Sequence, residues 1–204
     1  ATEHSHAAAE MAVEMARLGQ VEALMKGSLH TDELMAAIVP STTGLRTARR
    51  ISHVFVMDVP TYPRLLFVTD AAGNIFPTLD DKVDIAQNAI DLARTLGIEK
   101  PKVAVLSALE MVTSKIESTL HAAALCKMAD RGQITGGEID GPLAFDNAIS
   151  VHAAKAKKID LPKPLPTSTT SSPGLSSSFC ATWSHLLRCA SSSVRVPSFQ
   201  YAQV

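Results

Sequence analysis

One loop combines a cation, a glycine and the start of a helix, the three features of a simple anion site. The run Lys26-Gly-Ser-Leu-His30-Thr31 follows a short apolar segment, Val21–Met25, and precedes a helical segment that ends before Pro40. Glycine lets a ligand approach the backbone, a helix N-terminus presents free N–H groups, and Lys26 adds positive charge. The loop predicts phosphate or carboxylate binding. The alternative interpretation is a tight strand-to-helix turn in which Thr31 caps the helix.

Three later loops place polar side chains after predicted strands, where ligands bind in open α/β sheets. The first, Asp70-Ala-Ala-Gly-Asn74, combines a carboxylate with small residues, and the second, residues 108–115, carries hydroxyls and Lys115. The third, Asp140-Gly141-Pro142, predicts a sharp exit from a strand ahead of Asn147 on the next helix. Turn formation, helix capping and a solvated loop remain the alternatives.

Other chemistry-bearing residues give weaker signals. Arginine can bind phosphate in a bidentate manner, but the sequence favours ordinary surface roles for Arg46, Arg49 and Arg50. Ser52 and His53 are adjacent, and adjacent strand residues point to opposite faces, so we expect no serine–histidine dyad. No metal-binding, Walker or dinucleotide motif occurs, and we predict no metal site.

The first 160 residues alternate between predicted strands and helices, which is typical of an α/β domain with flanking helices and a mixed, largely parallel sheet. The run Pro60-Thr-Tyr-Pro63 separates two β-branched segments and predicts an antiparallel pair. Thr78 precedes an amphipathic helix that Gly97 closes. The predicted strands are 21–25, 53–59, 64–69, 102–107 and 134–140, and the predicted helices are 6–18, 31–39, 79–96, 118–130 and 143–158, the last as one helix or as two pieces.

Composition changes abruptly at Asp160. The chain is 46% hydrophobic with net charge −1, which favours neither nucleic acid nor a membrane as partner. Residues 161–204 contain no acidic residue, 15 Ser or Thr and five Pro, so we predict a disordered tail after a domain spanning 1–160.

The three cysteines cannot all form disulfide pairs within one chain, which indicates a reducing, cytoplasmic setting.

The order and spacing of several stretches within residues 3–158 resemble the phosphate acetyltransferase/phosphate butyryltransferase family. These stretches are Glu22-Ala-Leu-Met-Lys-Gly27, Gly44-Leu-Arg-Thr47, Arg50-Ile-Ser-His-Val-Phe-Val-Met-Asp-Val-Pro60, Leu66-Phe-Val-Thr-Asp-Ala-Ala72, Pro101-Lys-Val-Ala-Val-Leu-Ser107, Lys127-Met-Ala-Asp-Arg-Gly132 and Asp140-Gly-Pro-Leu-Ala-Phe-Asp-Asn-Ala148. They are most similar to the branch that includes phosphate butyryltransferases and the acetyltransferase halves of proteins fused to an enoyl-CoA hydratase.

This resemblance implies a fold akin to isocitrate and isopropylmalate dehydrogenases, present here incompletely. It implies that phosphate attacks acyl-CoA directly in a ternary complex, giving acyl phosphate and coenzyme A, in a homo-oligomeric enzyme. Coenzyme A is then a substrate and not a resident cofactor. The substrate-binding residues carried over are Lys26, Gly27, His30, Thr31, Ser52, His53, Asp70, Asn74, Asp140, Gly141, Pro142 and Asn147.

The sequence departs from the family pattern in two ways, and both affect the activity that we expect. The family's opening elements do not precede Ala1, and its Ser-Arg-Ala-Asp segment, which supplies a phosphate arginine and a thiol base, does not follow Asp160. We therefore assign no catalytic residue, and expect the tail to be an out-of-frame reading of the coding DNA. The alternative to an acyltransferase is an inactive fragment with at most partial ligand binding, and we expect no turnover and poor solubility. A redox enzyme is disfavoured, because no dinucleotide signature occurs.

Overall fold

The computed structural model describes residues 5–159 and the backbone of 201–203, in two compact units. The first unit holds residues 5–49 with 201–203. The second holds residues 50–159. The chain runs α1 (Ser5–Arg17), β1 (Ala23–Met25), α2 (Thr31–Ile38), β2 (Val54–Met57), β3 (Leu66–Thr69), α3 (Leu79–Thr95), β4 (Lys102–Leu106), α4 (Glu117–Asp130), β5 (Glu138–Leu143), α5 (Phe145–Ile149), α6 (Val151–Ala156) and β6 (Tyr201–Gln203).

The α/β class is confirmed, but the single mixed sheet is wrong for the described residues. Their strands form three separate pairs: β1 with β6 and β4 with β5 are parallel, and β2 with β3 is antiparallel as predicted. In the second unit, α3 packs on β3, α4 packs on β4 and β5, and the two helices contact each other. The two strand pairs are therefore joined through helices and not through backbone hydrogen bonds.

The core of the second unit lies between α3, α4 and β5. Its fully or nearly buried members are Ala86, Ile90, Leu125, Ile134 and Ile139. Ile90 is 0% exposed, and a Cβ added at Gly137 would lie 3.0 Å from its Cγ1, so the helix and the turn before β5 pack without spare room. This packing fixes the strand ends that carry the candidate site.

One predicted boundary is wrong. The strand predicted for 134–140 instead runs from Glu138 to Leu143 as β5, because Ile134 is buried as a core contact outside the strand ladder. The helical region predicted for 143–158 consists of two helices that meet at Ser150, whose hydroxyl caps the second, in agreement with the two-piece alternative. Of the tail predicted to be disordered, residues 201–203 form β6, and 161–200 and 204 lie outside the described residues.

The start of α3 follows the sequence prediction closely. The Asp81 N–H donates to the Thr78 hydroxyl at 3.2 Å, and the Thr78 N–H donates to the Asp81 carboxylate at 2.9 Å. This reciprocal capping box satisfies two backbone donors that the helix cannot satisfy itself. It sets the direction in which the chain leaves the loop after β3.

Candidate functional site

The loop between β1 and α2 in the first unit contains Lys26, Gly27, His30 and Thr31. The Lys26 ammonium donates to the Leu29 carbonyl at 3.2 Å, which holds the cation along its own loop. A hollow of about 310 Å³ beside this loop is lined by Ser5, Ala8, Ser28, Leu29, His30 and Glu33. The loop therefore retains a cation and an accessible concave surface.

The predicted cap of α2 is wrong by one residue. His30 is the N-cap and Thr31 begins the helix, because Glu33 turns back to accept the His30 N–H at 3.3 Å. Glu33 also accepts a hydrogen bond from the Ser5 hydroxyl at 3.1 Å. With Asp32 and Glu33 in the first turn, this helix N-terminus already has negative charge close by, so any anion bound here must rely on Lys26.

In the second unit, His53 and Asp70 lie at the same end of the β2–β3 pair. Val54 pairs with Thr69, so His53 just before β2 stands opposite Asp70 just after β3. The Asp70 N–H donates to the His53 carbonyl at 2.8 Å. Asp70 has a positive φ of 53°, a left-handed conformation that turns the chain sharply into the loop.

A chain of polar contacts runs from Asp70 to α3. Asn74 donates to the Asp70 Oδ1 at 3.0 Å and to the Ile51 carbonyl at 3.3 Å, and its own carbonyl accepts the Arg50 Nε–H. Arg50 then pairs with Asp81 at 3.2 Å. A Cβ at Gly73 would lie 2.8 Å from the Asp70 Oδ1, so a larger residue there would require this carboxylate to move. Asp70 and Asn74, predicted as one loop site, do lie together.

Ser52 and His53 diverge as the strand pattern predicts. The Ser52 hydroxyl accepts a hydrogen bond from Asn88 of α3 at 3.0 Å. The His53 ring instead makes an edge-to-face contact with Phe55, with ring centroids 4.3 Å apart. Asn88 also donates to the Arg50 carbonyl at 2.9 Å, which ties Ser52 and Arg50 to the same helix.

Asp140, Gly141 and Pro142 are inside β5 and not in a loop after it. Asp140 pairs with Ala104, and the ladder continues, with an irregularity, to the pair Leu106 and Leu143. The expected exit from the strand is wrong, because a shift in register between β4 and β5 absorbs the Gly–Pro step. A Cβ at Gly141 would lie 2.8 Å from the Val105 carbonyl oxygen, so the two backbones touch there.

Cys126 of α4 contacts this step. Its Sγ donates to the Gly141 carbonyl at 3.5 Å. Burial, helped by the charges of Asp140 and Asp130, raises the pKa of the Cys126 thiol to about 11. The thiol is thus protonated near neutral pH and is a packing residue, since the thiolate is the nucleophile.

Asn147 anchors a second polar cluster, formed with Glu110, Asp146 and Lys157. Asn147 is 0% exposed, and its Nδ2 donates to the Glu110 carboxylate at 2.6 Å. Lys157 lies 3.0 Å from the Glu110 carboxylate and 3.1 Å from that of Asp146. The cluster ties the loop after β4 to α5 and to the end of α6.

This cluster shifts all three of its charged groups toward their ionised forms. The hydrogen bond from Lys157 is the main cause that lowers the pKa of Glu110 and that of Asp146, and the bond to Glu110 is the main cause that raises the pKa of Lys157. The carboxylates' contribution to stability is present above their ordinary pKa values, 4.5 and 3.8, and is lost as pH falls through the lowered ones. The lysine's contribution is present below 10.5 and is lost as pH rises through its raised pKa.

We expect the stability difference between the wild type and Lys157→Met to be constant near neutral pH. It should shrink as the pH falls below the ordinary carboxyl pKa values, because the carboxylates then protonate and the pairs break in the wild type. Urea unfolding at a series of pH values measures this. Lys127→Met, which removes an exposed pair with Asp130 of α4, is the control and should show a smaller difference that varies less with pH.

Three buried side-chain polar atoms within the described residues have no hydrogen-bond partner: the His53 Nδ1, the Asp70 Oδ2 and the Asn147 Oδ1. All three belong to residues predicted from the sequence to bind substrate. Buried polar atoms are nearly always paired, so an unpaired one requires an explanation such as a ligand or an ordered water. These three residues are the strongest candidates for ligand contacts in the second unit.

Several members of these polar clusters are not predicted as site residues from the sequence. The sequence marks Arg50 and Glu110 only as members of an arginine cluster and of a polar loop, and it proposes none of Asp81, Asn88, Asp146 and Lys157 as site residues. No local pattern reveals that Glu110 meets Asn147, 37 residues later. Arg50 pairs with Asp81 through a terminal nitrogen and with Asn74 through its Nε, so part of its guanidinium is already bound in this geometry.

Among residues 5–159, no group of three or more His, Cys, Asp or Glu side chains is arranged to hold a metal ion. Within the same part of the chain, no helix combines the length and the apolar character needed to cross a bilayer.

The family match and the curated relatives of this chain agree with each other. Residues 1–163 match the sequence model of the family described as phosphate acetyl/butaryl transferase. A phosphate acetyltransferase of Rhizobium meliloti is 65% identical over 159 residues, covering 78% of this chain and 50% of the relative. A phosphate butyryltransferase of Clostridium acetobutylicum is 45% identical over 152 residues, covering 74% of this chain and 50% of the relative.

A crystal structure of a branched-chain phosphotransacylase from Enterococcus faecalis V583 is similar in fold, with a TM-score of 0.68 at 30% identity. The similarity covers 79% of this chain and 57% of that one. The chain spans about half the length of the curated relatives it matches. With a family match over most of its residues and a solved structure of the same fold, the chain belongs to the phosphate acetyltransferase/phosphate butyryltransferase family.

Proposed function

We propose that this chain supplies the coenzyme A-binding part of an enzyme that moves an acetyl or short-chain acyl group between coenzyme A and inorganic phosphate. In this reaction, acyl-CoA and phosphate give acyl phosphate and coenzyme A. The observation that carries the proposal is the set of unpaired buried atoms on His53, Asp70 and Asn147. Asp70 follows the carboxyl end of β3, the position at which α/β folds bind ligands, His53 stands opposite it across the strand pair, and Asn147 lies on the helix that follows β5.

The proposed mechanism is direct attack within a ternary complex. An oxygen of phosphate adds to the thioester carbonyl, the C–S bond breaks, and the phosphate proton passes to the sulfur. The products are acyl phosphate and the thiol of coenzyme A. Such a step is accelerated by holding the two reactants in place and by balancing their charges. In the first unit, Lys26 offers the positive charge for one anionic group of the substrates, with Gly27 leaving its backbone open to approach.

Further features belong to the same proposal. The fold is akin to that of isocitrate and isopropylmalate dehydrogenases, and the active enzyme is a cytoplasmic homo-oligomer without a permanently bound cofactor or metal. It has no nucleic acid or membrane partner. The substrate-binding set includes Ser52, Asn74 and residues 140–142 besides the three residues with unpaired atoms and the loop of residues 26, 27, 30 and 31.

An inactive fragment with partial ligand binding is the second candidate. Calorimetric titration with coenzyme A, together with thiol release from acetyl-CoA and butyryl-CoA with and without phosphate, separates the two. Phosphate-dependent release by this chain supports the acyltransferase, and binding without release supports the fragment. A folded chain that does not bind coenzyme A contradicts both.

We expect Lys26→Met to weaken coenzyme A binding about tenfold, because a hydrogen bond to a charged group contributes about 1.5 kcal/mol or more. Calorimetry measures the change. Lys127→Met removes the same charge from the surface of α4 and should leave the affinity unchanged. Equal affinities for the wild type and Lys26→Met would show that the first-unit loop does not contribute to coenzyme A binding.

A further inference from the structure

Glu110 contacts one end of the Asn147 side chain, and the other end is unpaired. The Asn147 Nδ2 donates to the Glu110 Oε1 at 2.6 Å, while the Asn147 Oδ1 is buried without a hydrogen-bond partner. Asn147 is 0% exposed, so bulk water does not reach the amide. The side chain is therefore held from one side and presents a bare acceptor on the other.

The chemistry of Glu110 decides which end of the amide it holds. The nitrogen and the oxygen of an asparagine amide are similar in size, so their placement follows from their hydrogen-bond partners. An ionised carboxylate only accepts hydrogen bonds, and it therefore selects the Asn147 nitrogen. The reverse orientation would place the Asn147 oxygen against a negatively charged oxygen and leave both acceptors without a hydrogen.

Lys157 keeps Glu110 in the ionised form that this selection requires. The Lys157 Nζ lies 3.0 Å from the Glu110 Oε1, the same oxygen that accepts the hydrogen bond from Asn147. The hydrogen bond from Lys157 is the main cause that lowers the pKa of Glu110 below its ordinary value of 4.5. Near neutral pH, the orientation of Asn147 is therefore set before any ligand arrives.

We propose that Glu110 is a positioning residue, which holds the Asn147 side chain in advance with its carbonyl oxygen turned toward the bound substrate. This inference rests on the proposed function, in which Asn147 belongs to the substrate-binding set. Glu110 acts through Asn147 and not by touching the substrate. A side chain that is already ordered loses less conformational entropy on binding than one that the ligand must order, so the effect is on affinity.

Two substitutions at position 110 separate positioning from charge pairing. Glu110→Met removes the acceptor and keeps the length of the side chain, so Asn147 is no longer held, and coenzyme A should bind about fivefold more weakly. Glu110→Gln also removes the charge that pairs with Lys157. Its carbonyl oxygen can nevertheless take the place of the Oε1, which accepts the hydrogen bonds from both Asn147 and Lys157. Glu110→Gln should therefore stay within about twofold of the wild-type affinity.

Calorimetry on the full chain measures these affinities, and circular dichroism shows whether each variant is folded. Glu117→Met removes a carboxylate from the exposed surface of α4, and it should leave the affinity for coenzyme A unchanged. Unchanged affinity in Glu110→Met overturns the positioning role. So do equal losses in Glu110→Met and Glu110→Gln, because the charge of Glu110 is then what matters. Either result leaves the proposed function standing.

A double-substitution cycle tests whether Glu110 acts through Asn147. Asn147→Ala should weaken coenzyme A binding about fivefold, and adding Glu110→Met to it should change the affinity by less than about twofold. A further fivefold loss, or a folded Asn147→Ala variant that binds like the wild type, overturns the positioning role. If Asn147→Ala does not fold, the comparison of the two Glu110 variants decides alone. A folded wild-type chain that does not bind coenzyme A overturns the proposed function itself.

Discussion

Ile90→Ala is expected to lower the free energy of unfolding of the second unit by about 3 kcal/mol. Ile90 is fully buried at the centre of the cluster formed by α3, α4 and β5, and it also meets the backbone turn at Gly137. Truncation removes apolar contacts and leaves a cavity that these elements cannot close without moving. Urea unfolding followed by circular dichroism measures the loss.

Ile90→Val is the matched variant, because it removes one methylene and should cost only about 1 kcal/mol. The ratio of the two losses reports how rigidly the core is packed. A loss below about 1 kcal/mol for Ile90→Ala would show that α3 does not pack tightly on α4 and β5 in solution.

Gly141→Ala is expected to cost about 2–3 kcal/mol, the upper range for overpacking a tight site. The added methyl group would lie 2.8 Å from the Val105 carbonyl oxygen and 2.9 Å from its Cβ, so the backbones of β4 and β5 would have to separate. The shift would also displace Asp140 and Pro142 within the proposed substrate-binding set. Urea unfolding and coenzyme A titration of the same variant measure both effects.

Gly132→Ala supplies the comparison. Gly132 has a φ of +75°, and nothing lies within 4 Å of the position that a methyl group would take there. Its substitution therefore carries only the cost of a left-handed alanine, about 1 kcal/mol. If the two substitutions lower the free energy of unfolding by the same amount, crowding at Val105 does not contribute to the loss. The close contact between β4 and β5 at Gly141 would then be wrong.

Local sequence signals are sufficient to predict an element when its own residues determine where it begins or ends. Thr78 and Asp81 fix the start of α3 through a reciprocal cap, and the Pro60–Pro63 turn indicates the antiparallel pair that places His53 opposite Asp70. The signals fail where a buried apolar residue does not belong to a paired strand, or where a strand continues through a residue that usually ends one. Ile134 is apolar because it fills the core, and a proline at 142 does not end a strand whose partner tolerates an irregular register.

The candidate site shows the same division. Asp70 and Asn74 are predicted together because they share one short loop, and they do form one hydrogen bond. The pairing of Asn147 with Glu110, and that of Arg50 with Asp81, depends on how helices pack on strands far along the chain. Sequence spacing carries no information on such contacts, so these partners become visible only in the fold.

Phosphate-dependent thiol release by a chimera tests whether these residues belong to an acyl-CoA:phosphate acyltransferase. In this chimera, residues 1–159 replace the matching segment of the Rhizobium meliloti phosphate acetyltransferase, to which the chain is 65% identical over 159 residues. Free thiol is measured with acetyl-CoA in the presence and absence of phosphate. If these residues supply the coenzyme A-binding part of an acyl-CoA:phosphate acyltransferase, release should require phosphate and approach the rate of the unmodified relative. A folded chimera that binds coenzyme A but releases no thiol, or releases it equally without phosphate, would contradict the account.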